Sequence, residues 1–245
     1  MRMVLVVLSL SLYFIVTLPA YLVLLAFKKK HPKTVMKIAQ AMVAKGFRFV
    51  LWSAGAHLTV RGLENIPRDC GMLFVSNHRS YADIPFAYCT IPVPLGFIAK
   101  KEIKKVPFLS WWMSLLDCYF LDRSNPRDGL NMILFSIDKI KGGRSIFISP
   151  EGTRNQKDEM LPFKEGSVKS AVKTGCPVIP VAFWGTDDLY EKHKPVVKSA
   201  KIIVTYGKPI YINELEEEQK KGFSAYIQGV IAEMIKEERA LIEAK

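Results

Sequence analysis

Apolar positions fall into two regimes along the chain. From Met3 to Phe27 no side chain carries a charge, and only Ser, Thr, Tyr and Pro19 interrupt the apolar run. Twenty-five residues extend about 37 Å as a helix, against a hydrocarbon core of about 30 Å, so the segment is long enough to enter a bilayer. It also exceeds the apolar stretch of a secretory signal peptide, and no clear small-residue cleavage site precedes Lys28. A second helix is expected over 33–55, where Val35, Met36, Met42, Val43, Phe47 and Val50 alternate with Lys37, Lys45 and Arg48. That composition suits a helix lying in a membrane interface and equally one packed on the domain behind it. Hydropathy leaves open whether the first helix crosses the bilayer or folds back with the second inside one leaflet; Pro19 permits a kink.

Beyond residue 57 the pattern shortens. Runs at 58–60, 71–76, 96–99, 118–121, 145–148, 178–183 and 202–206 are nearly continuous in apolar residues, as strands covered on both faces are. Helical spacing fills several of the intervals. Asn125-Pro126 reads as a cap followed by a first-turn proline, with Leu130, Ile133, Leu134, Ile137 and Ile140 on one face until Gly142-Gly143 stops the run. A short helix is expected over 164–174, closed by Gly175, and an amphipathic one from Phe223 through Ile235. The expected fold class is α/β: a mostly parallel sheet of about seven strands flanked by helices, preceded by an N-terminal two-helix membrane-associating motif. The expected division is 1–57 for the membrane-associated helices and 58–245 for the α/β domain.

Charge sharpens that division. The net charge of +12 suggests a nucleic-acid binder until its distribution is considered: residues 1–63 hold nine Lys or Arg and no acid, leaving +3 for the rest. A basic excess confined to an apolar N-terminal region speaks for anionic lipid, not for nucleic acid. Lys28-Lys-Lys-His31 follows the first apolar segment, and the bias of such clusters toward the inner side puts the following domain in the cytoplasm, at the inner membrane. Cys70, Cys89, Cys118 and Cys176 form no C-x-x-C pair and indicate neither a zinc site nor a redox motif.

The chemistry gathers after two of the predicted strands. Asn77-His78 follows the run 71–76, with Asp83 five residues past the imidazole, and Pro150-Glu-Gly-Thr-Arg154 follows the run 145–148. A His and an Asp five apart lie about 140° from each other on a continuous helix, so cooperation needs a strand-to-helix junction between them. Pro85, at home in a first helical turn, makes Asp83 the expected N-cap and 77–82 the connecting turn. A carboxylate there holds one imidazole nitrogen and leaves the other as a base. Alone, such a pair more often caps a strand and a helix. Here Gly152, Thr153 and Arg154 add a turn glycine, a hydroxyl and a guanidinium suited to phosphate, and Lys100, Lys101 and Arg123 lie at other strand ends. No Gly-x-Ser-x-Gly elbow, His-Glu-x-x-His helix or Gly-x-x-x-x-Gly-Lys loop is present, so the nucleophile is expected to be the substrate's own.

Asn77-His78-Arg-Ser-Tyr-Ala-Asp83 resembles the H-x-x-x-x-D motif of the glycerolipid acyltransferases, in particular the bacterial 1-acyl-sn-glycerol-3-phosphate acyltransferases. Phe120-Leu-Asp122-Arg123, Pro150-Glu-Gly-Thr-Arg154 and Val178-Ile-Pro180-Val-Ala are similar to their second, third and fourth motifs, in order, across roughly residues 58–210. Two positions depart from the pattern: Asp117 where glycine is usual, and Ser149 where an aromatic is. The resemblance implies that His78 deprotonates the sn-2 hydroxyl of lysophosphatidic acid while Asp83 holds it, and that Arg123, Glu151, Gly152, Thr153 and Arg154 bind the acceptor head, with Pro180 shaping the site. Lys100 is added as a further phosphate ligand on its position alone. The implied co-substrate is an acyl-CoA or acyl carrier protein thioester; the implied partners are lysophosphatidic acid, the donor's carrier and membrane phospholipids, with no cofactor, metal or nucleic acid. The alternative is a lipid-binding protein of the same fold without turnover. The stretch Val106–Leu116 is apolar and rich in aromatics, fit for core, for an acyl groove or for lipid contact. His31, His57 and His193 have no acidic partner at useful spacing.

Overall fold

The structure, a computed structural model, describes residues 2–243. Helix α1 (Arg2–Phe27) folds back through the basic turn 28–31 onto α2 (Pro32–Ala54), which starts with Pro32 in its first turn and ends at Gly55 in the left-handed region (φ 81°). The two helices approach closely because Gly46 has no side chain; a Cβ there would overlap the ring of Tyr13. One face of α2 is core: Val35, Ala39, Val43 and Leu51 share a buried cluster with Phe86 and Tyr88. Most of α1 is not, and Leu5, Leu8, Leu12, Ile15 and Leu22 stand exposed beside the equally exposed Phe49 and Trp52 of α2.

The α/β part runs β1 (Ala56–Arg61), β2 (Leu73–Ser76), α3 (Asp83–Thr90), β3 (Leu95–Lys100), α4 (Leu109–Leu115), β4 (Tyr119–Leu121), α5 (Pro126–Lys141), β5 (Ser145–Ile148), α6 (Lys169–Thr174), β6 (Val178–Trp184), β7 (Ala200–Tyr206), α7 (Glu217–Lys221) and α8 (Phe223–Glu243). The strands form one seven-stranded sheet in the order β1-β7-β6-β2-β5-β3-β4. All neighbours are parallel except β6 and β7. Alternation along β2 feeds two cores: Phe74 faces the cluster under α2, α3 and α4, whereas Leu73 and Val75 face the one under α5, α6 and α8. Helices cover both faces, as the apolar strands require. Phe147 of β5 stacks on Phe97 at 4.7 Å and on Phe74 at 6.2 Å, filling the middle of the first cluster.

Two expectations change. The helix foreseen over 164–174 splits into a 3-10 turn at 165–167 and α6, because Gly166 and Ser167 favour the turn over a continuous helix. The aromatic stretch 106–116 divides: Trp112, Leu115 and Leu116 are core, one of its expected roles, and the rest seats α1, with Phe108 stacked on Phe14 at 5.7 Å and Trp111 on Tyr21 at 5.8 Å. Asp117, just beyond it, adopts φ 53°, a conformation glycine enters freely and aspartate at a cost on the order of 1 kcal/mol. Its carboxylate faces Lys28 at 4.0 Å, Lys139 at 3.6 Å and Arg144, so it ties the end of α1 to the domain.

The single antiparallel pair matters for the site. A parallel crossover after β6 would carry the chain to the opposite end of the sheet, whereas the antiparallel return leaves the connection 185–199 at the carboxyl end of β6. The ends of β2, β4 and β5 open onto the same side, where ligands gather in sheets of this kind.

Candidate active site

His78 Nδ1 lies 2.9 Å from Asp83 Oδ2, so the pair that the sequence places five residues apart is in direct contact. Asp83 is not the N-cap. The chain already turns helical at Ala82 (φ −74°, ψ −15°), which takes the cap position and makes Asp83 the first residue of α3. From there its Oδ2 reaches backwards and also accepts the backbone N–H groups of Arg79 (2.8 Å) and Ser80 (2.9 Å). Asp83 Oδ1 is buried without a hydrogen-bond partner among the described residues. With Nδ1–H donated to the carboxylate, Nε2 carries the lone pair, on a side chain that remains 21% exposed.

The third motif, Pro150–Arg154, closes on the first at His78. Its N–H donates to Glu151 Oε1 at 2.8 Å and its carbonyl accepts the N–H of Asn155 at 2.8 Å, so both backbone polar groups are held by the loop after β5. Glu151 is buried and its other oxygen accepts the N–H of Leu161 at 2.9 Å. Both carboxylate oxygens therefore hold the protein's own backbone, and Glu151 shapes the loop. Asn77 completes the junction by bonding both sides of Phe183, donating to its carbonyl at 2.9 Å and accepting its N–H at 2.8 Å. A two-handed amide here imitates a strand neighbour and pins the turn to the end of β6. Pro180 lies further back on β6, in register with Val75.

Of the expected cations, Arg123 meets the loop after β5 and Arg154 meets the His78–Asp83 turn. Arg123 donates to the carbonyl of Gly152, the latter at φ 73°, and a Cβ on Gly152 would lie 2.9 Å from the ammonium of Lys164. Asp122 and Asp128 form the Arg123 loop: Asp128 accepts the N–H of Asp122, and Lys101 with Ser124 hydrogen-bonds the Asp122 carboxylate and holds its pKa down at about 2. Desolvation pushes the Arg123 guanidinium below its usual value, and no acid pairs with it among the described residues. Arg154 lies with its guanidinium 3.4 Å above the ring of Tyr81, on the His78–Asp83 turn itself. Thr153 is exposed and makes no hydrogen bond among the described residues. Lys100 stands apart: its ammonium pairs with Glu102 at 3.3 Å on the exposed surface. Beside Arg123 opens a cleft of about 430 Å3, floored by Ile98, Leu121, Met132 and Ile148, with Lys164 and Lys169 on its rim.

Sequence patterns missed the connection 185–199. Asp187, 1% exposed, receives Arg79 at 2.7 Å; Glu191, 5% exposed, receives Ser80 Oγ at 2.7 Å and the N–H of Tyr81 at 2.8 Å. Four carboxylates from three stretches, Asp83, Glu151, and Asp187 with Glu191, thus hold residues 78–81. The available signal was an acidic segment directly following an apolar strand at the carboxyl end of the sheet. Among the described residues no group of three or more His, Cys, Asp and Glu gathers as a metal would need.

A doubly wound sheet with a His–Asp pair on one carboxyl-end turn and cationic loops around it is the architecture of an α/β group-transfer enzyme. A family described as Acyltransferase matches residues 57–184. Similar proteins include 1-acyl-sn-glycerol-3-phosphate acyltransferases of Saccharomyces cerevisiae, 31% identical over 82% of this chain and 67% of that one, and of Borreliella burgdorferi, 27% identical over 81% and 80%. The crystal structure of the 1-acyl-sn-glycerophosphate (LPA) acyltransferase PlsC from Thermotoga maritima superposes with a TM-score of 0.74 at 29% identity, covering 98% of each chain. The chain belongs to the acyltransferase family.

Proposed function

We propose that this enzyme transfers an acyl group from an acyl thioester to the sn-2 hydroxyl of 1-acyl-sn-glycerol-3-phosphate, giving phosphatidic acid. The observation that carries the reading is the 2.9 Å contact between His78 and Asp83 on a turn roofed by Arg154. His78 Nε2 takes the hydroxyl proton as the oxygen attacks the thioester carbonyl. The tetrahedral intermediate collapses with cleavage of the carbon–sulfur bond, and the imidazolium returns its proton to the departing thiolate, so no acyl-enzyme is formed. Arg154 and Arg123 bind the acceptor's phosphate, and the Gly152 turn keeps their approach open. The cleft beside Arg123 has the apolar floor an acyl chain needs. The donor is the thioester of a carrier, coenzyme A or acyl carrier protein.

Arg154→Ala is expected to raise the KM for lysophosphatidic acid about 10- to 100-fold, the worth of one or two charge-assisted hydrogen bonds, while the donor's KM stays within a factor of about two. Initial rates with purified protein, lysophosphatidic acid and labelled acyl thioester check this; an unchanged acceptor dependence removes Arg154 from the phosphate site.

Residues 1–57 dock this domain on the cytoplasmic face of the inner membrane. The exposed apolar residues of α1 continue into Phe49 and Trp52 of α2, and Trp111 of α4 adds to the same apolar set through its stacking on Tyr21. A helix packed along its own domain in this way suits a hairpin dipping into one leaflet. In vesicles containing anionic lipid, tryptophan emission is expected to be quenched by phospholipids brominated along the acyl chain, and Trp52→Phe together with Trp111→Phe to abolish most of that quenching. Equal quenching without these two side chains places the lipid contact elsewhere.

A further inference from the structure

One buried carboxylate joins the two halves of the site. The Glu191 side chain is fully buried, and its oxygens serve three donors: Ser80 Oγ on Oε2 at 2.7 Å, and on Oε1 both the N–H of Tyr81 at 2.8 Å and Arg154 Nη1 at 3.4 Å. Ser80 and Tyr81 belong to the turn that carries His78, and the ring of Tyr81 is the surface on which the Arg154 guanidinium rests, 3.4 Å away. Glu191 and Tyr81 therefore confine Arg154 from an edge and a face. A guanidinium has five donors, and among the described residues this one donates a hydrogen bond only to Glu191. The rest of its fork is left for a ligand. A buried carboxylate without a cation is costly, so the pairing with Arg154 is maintained.

We propose that Glu191 is a positioning residue: it fixes the orientation in which Arg154 meets the acceptor's phosphate and locks that orientation to the His78 turn. This rests on the phosphate role given to Arg154 above. Glu191→Gln keeps the size of the side chain, with the amide oxygen accepting the N–H of Tyr81 and the amide NH2 donating to a rotated Ser80 hydroxyl, and removes the charge that holds the arginine. The readout is the ratio of kcat/KM for lysophosphatidic acid to kcat/KM for the corresponding monoacylglycerol, the same acceptor without phosphate. A merely structural defect lowers both in step. Glu191→Gln is expected to lower the ratio about tenfold, roughly one charge-assisted hydrogen bond, through the KM for lysophosphatidic acid. In an Arg154→Ala background the same substitution is expected to lower it no further, since the group it positions is gone. Equal losses on both acceptors, or an undiminished second loss in the Arg154→Ala background, overturn the assignment. If Arg154→Ala lowers the ratio and Glu191→Gln does not, the inference about Glu191 fails alone; if Arg154→Ala leaves it unchanged, the phosphate reading fails and takes this one with it.

Discussion

Replacing His78 by alanine is expected to lower kcat for acyl transfer by about 10²- to 10⁴-fold, the range a positioned general base contributes, with the acceptor KM within about threefold of the native value. The loss should be deep because no neighbour can take over. Glu151 has its oxygens on the N–H groups of His78 and Leu161, Glu191 has its own on Ser80 Oγ, the N–H of Tyr81 and Arg154, and Asp83 accepts three hydrogen bonds on one oxygen and has the other buried. His57 lies on β1, at the sheet edge farthest from β4. Folding should survive, since the turn is held through the backbone of residue 78: its N–H to Glu151 and its carbonyl to Asn155, both independent of the side chain. Steady-state rates, with thermal unfolding in detergent as the control, check this. Turnover within a few-fold of the native enzyme would show that the imidazole is not the base.

The parts of this site legible in the sequence are those encoded over short distances. Continuous apolar runs located the strands, and Asn125-Pro126 located the start of α5, because capping and burial are properties of a few adjacent residues. His78 and Asp83 were legible as a pair because a strand-to-helix turn brings residues five apart into contact. The placing of Asp83 at the cap was wrong by one residue, a margin that side-chain chemistry does not fix: an aspartate serves at the cap and in the first turn alike. Glu191 and Asp187 lie more than 100 residues from the Arg79, Ser80 and Tyr81 groups they hold, in a charged segment that reads as solvated surface. What buries them is the antiparallel return of β7, and nothing in the composition of 200–206 specifies strand direction. The seating of α1 on α4 is equally non-local, since the aromatics of 108–112 fit core, groove and helix contact alike until the partner is present. The proposed phosphate ligands divide the same way: Arg123 and the Gly152 loop meet because their strands end on one side of the sheet, whereas Lys100, on the same side, turns to Glu102 two residues further on.

Asp83→Asn is expected to reduce kcat by about 10²-fold, less than Asp83→Ala does, and the difference follows from how the donors are shared. Three donors, His78 Nδ1 and the N–H groups of Arg79 and Ser80, converge on Oδ2, while Oδ1 is buried without a hydrogen-bond partner among the described residues. An asparagine amide places its oxygen where three donors meet and its nitrogen in the vacant direction, because the reverse would set three donors against a fourth. The turn and the imidazole tautomer are thereby retained, and only the negative charge facing the imidazolium of the transition state is lost. Alanine removes the oxygen as well, frees two backbone N–H groups of the turn, and should bring kcat down to the level of the His78→Ala enzyme. Parallel measurement of kcat and thermal stability for the two variants gives the order: native, then asparagine, then alanine. An asparagine enzyme as inactive as His78→Ala would mean that the amide presents its nitrogen to the ring and inverts the tautomer, contrary to the convergence of donors on Oδ2; one with native turnover would mean that the carboxylate charge plays no part in moving the proton.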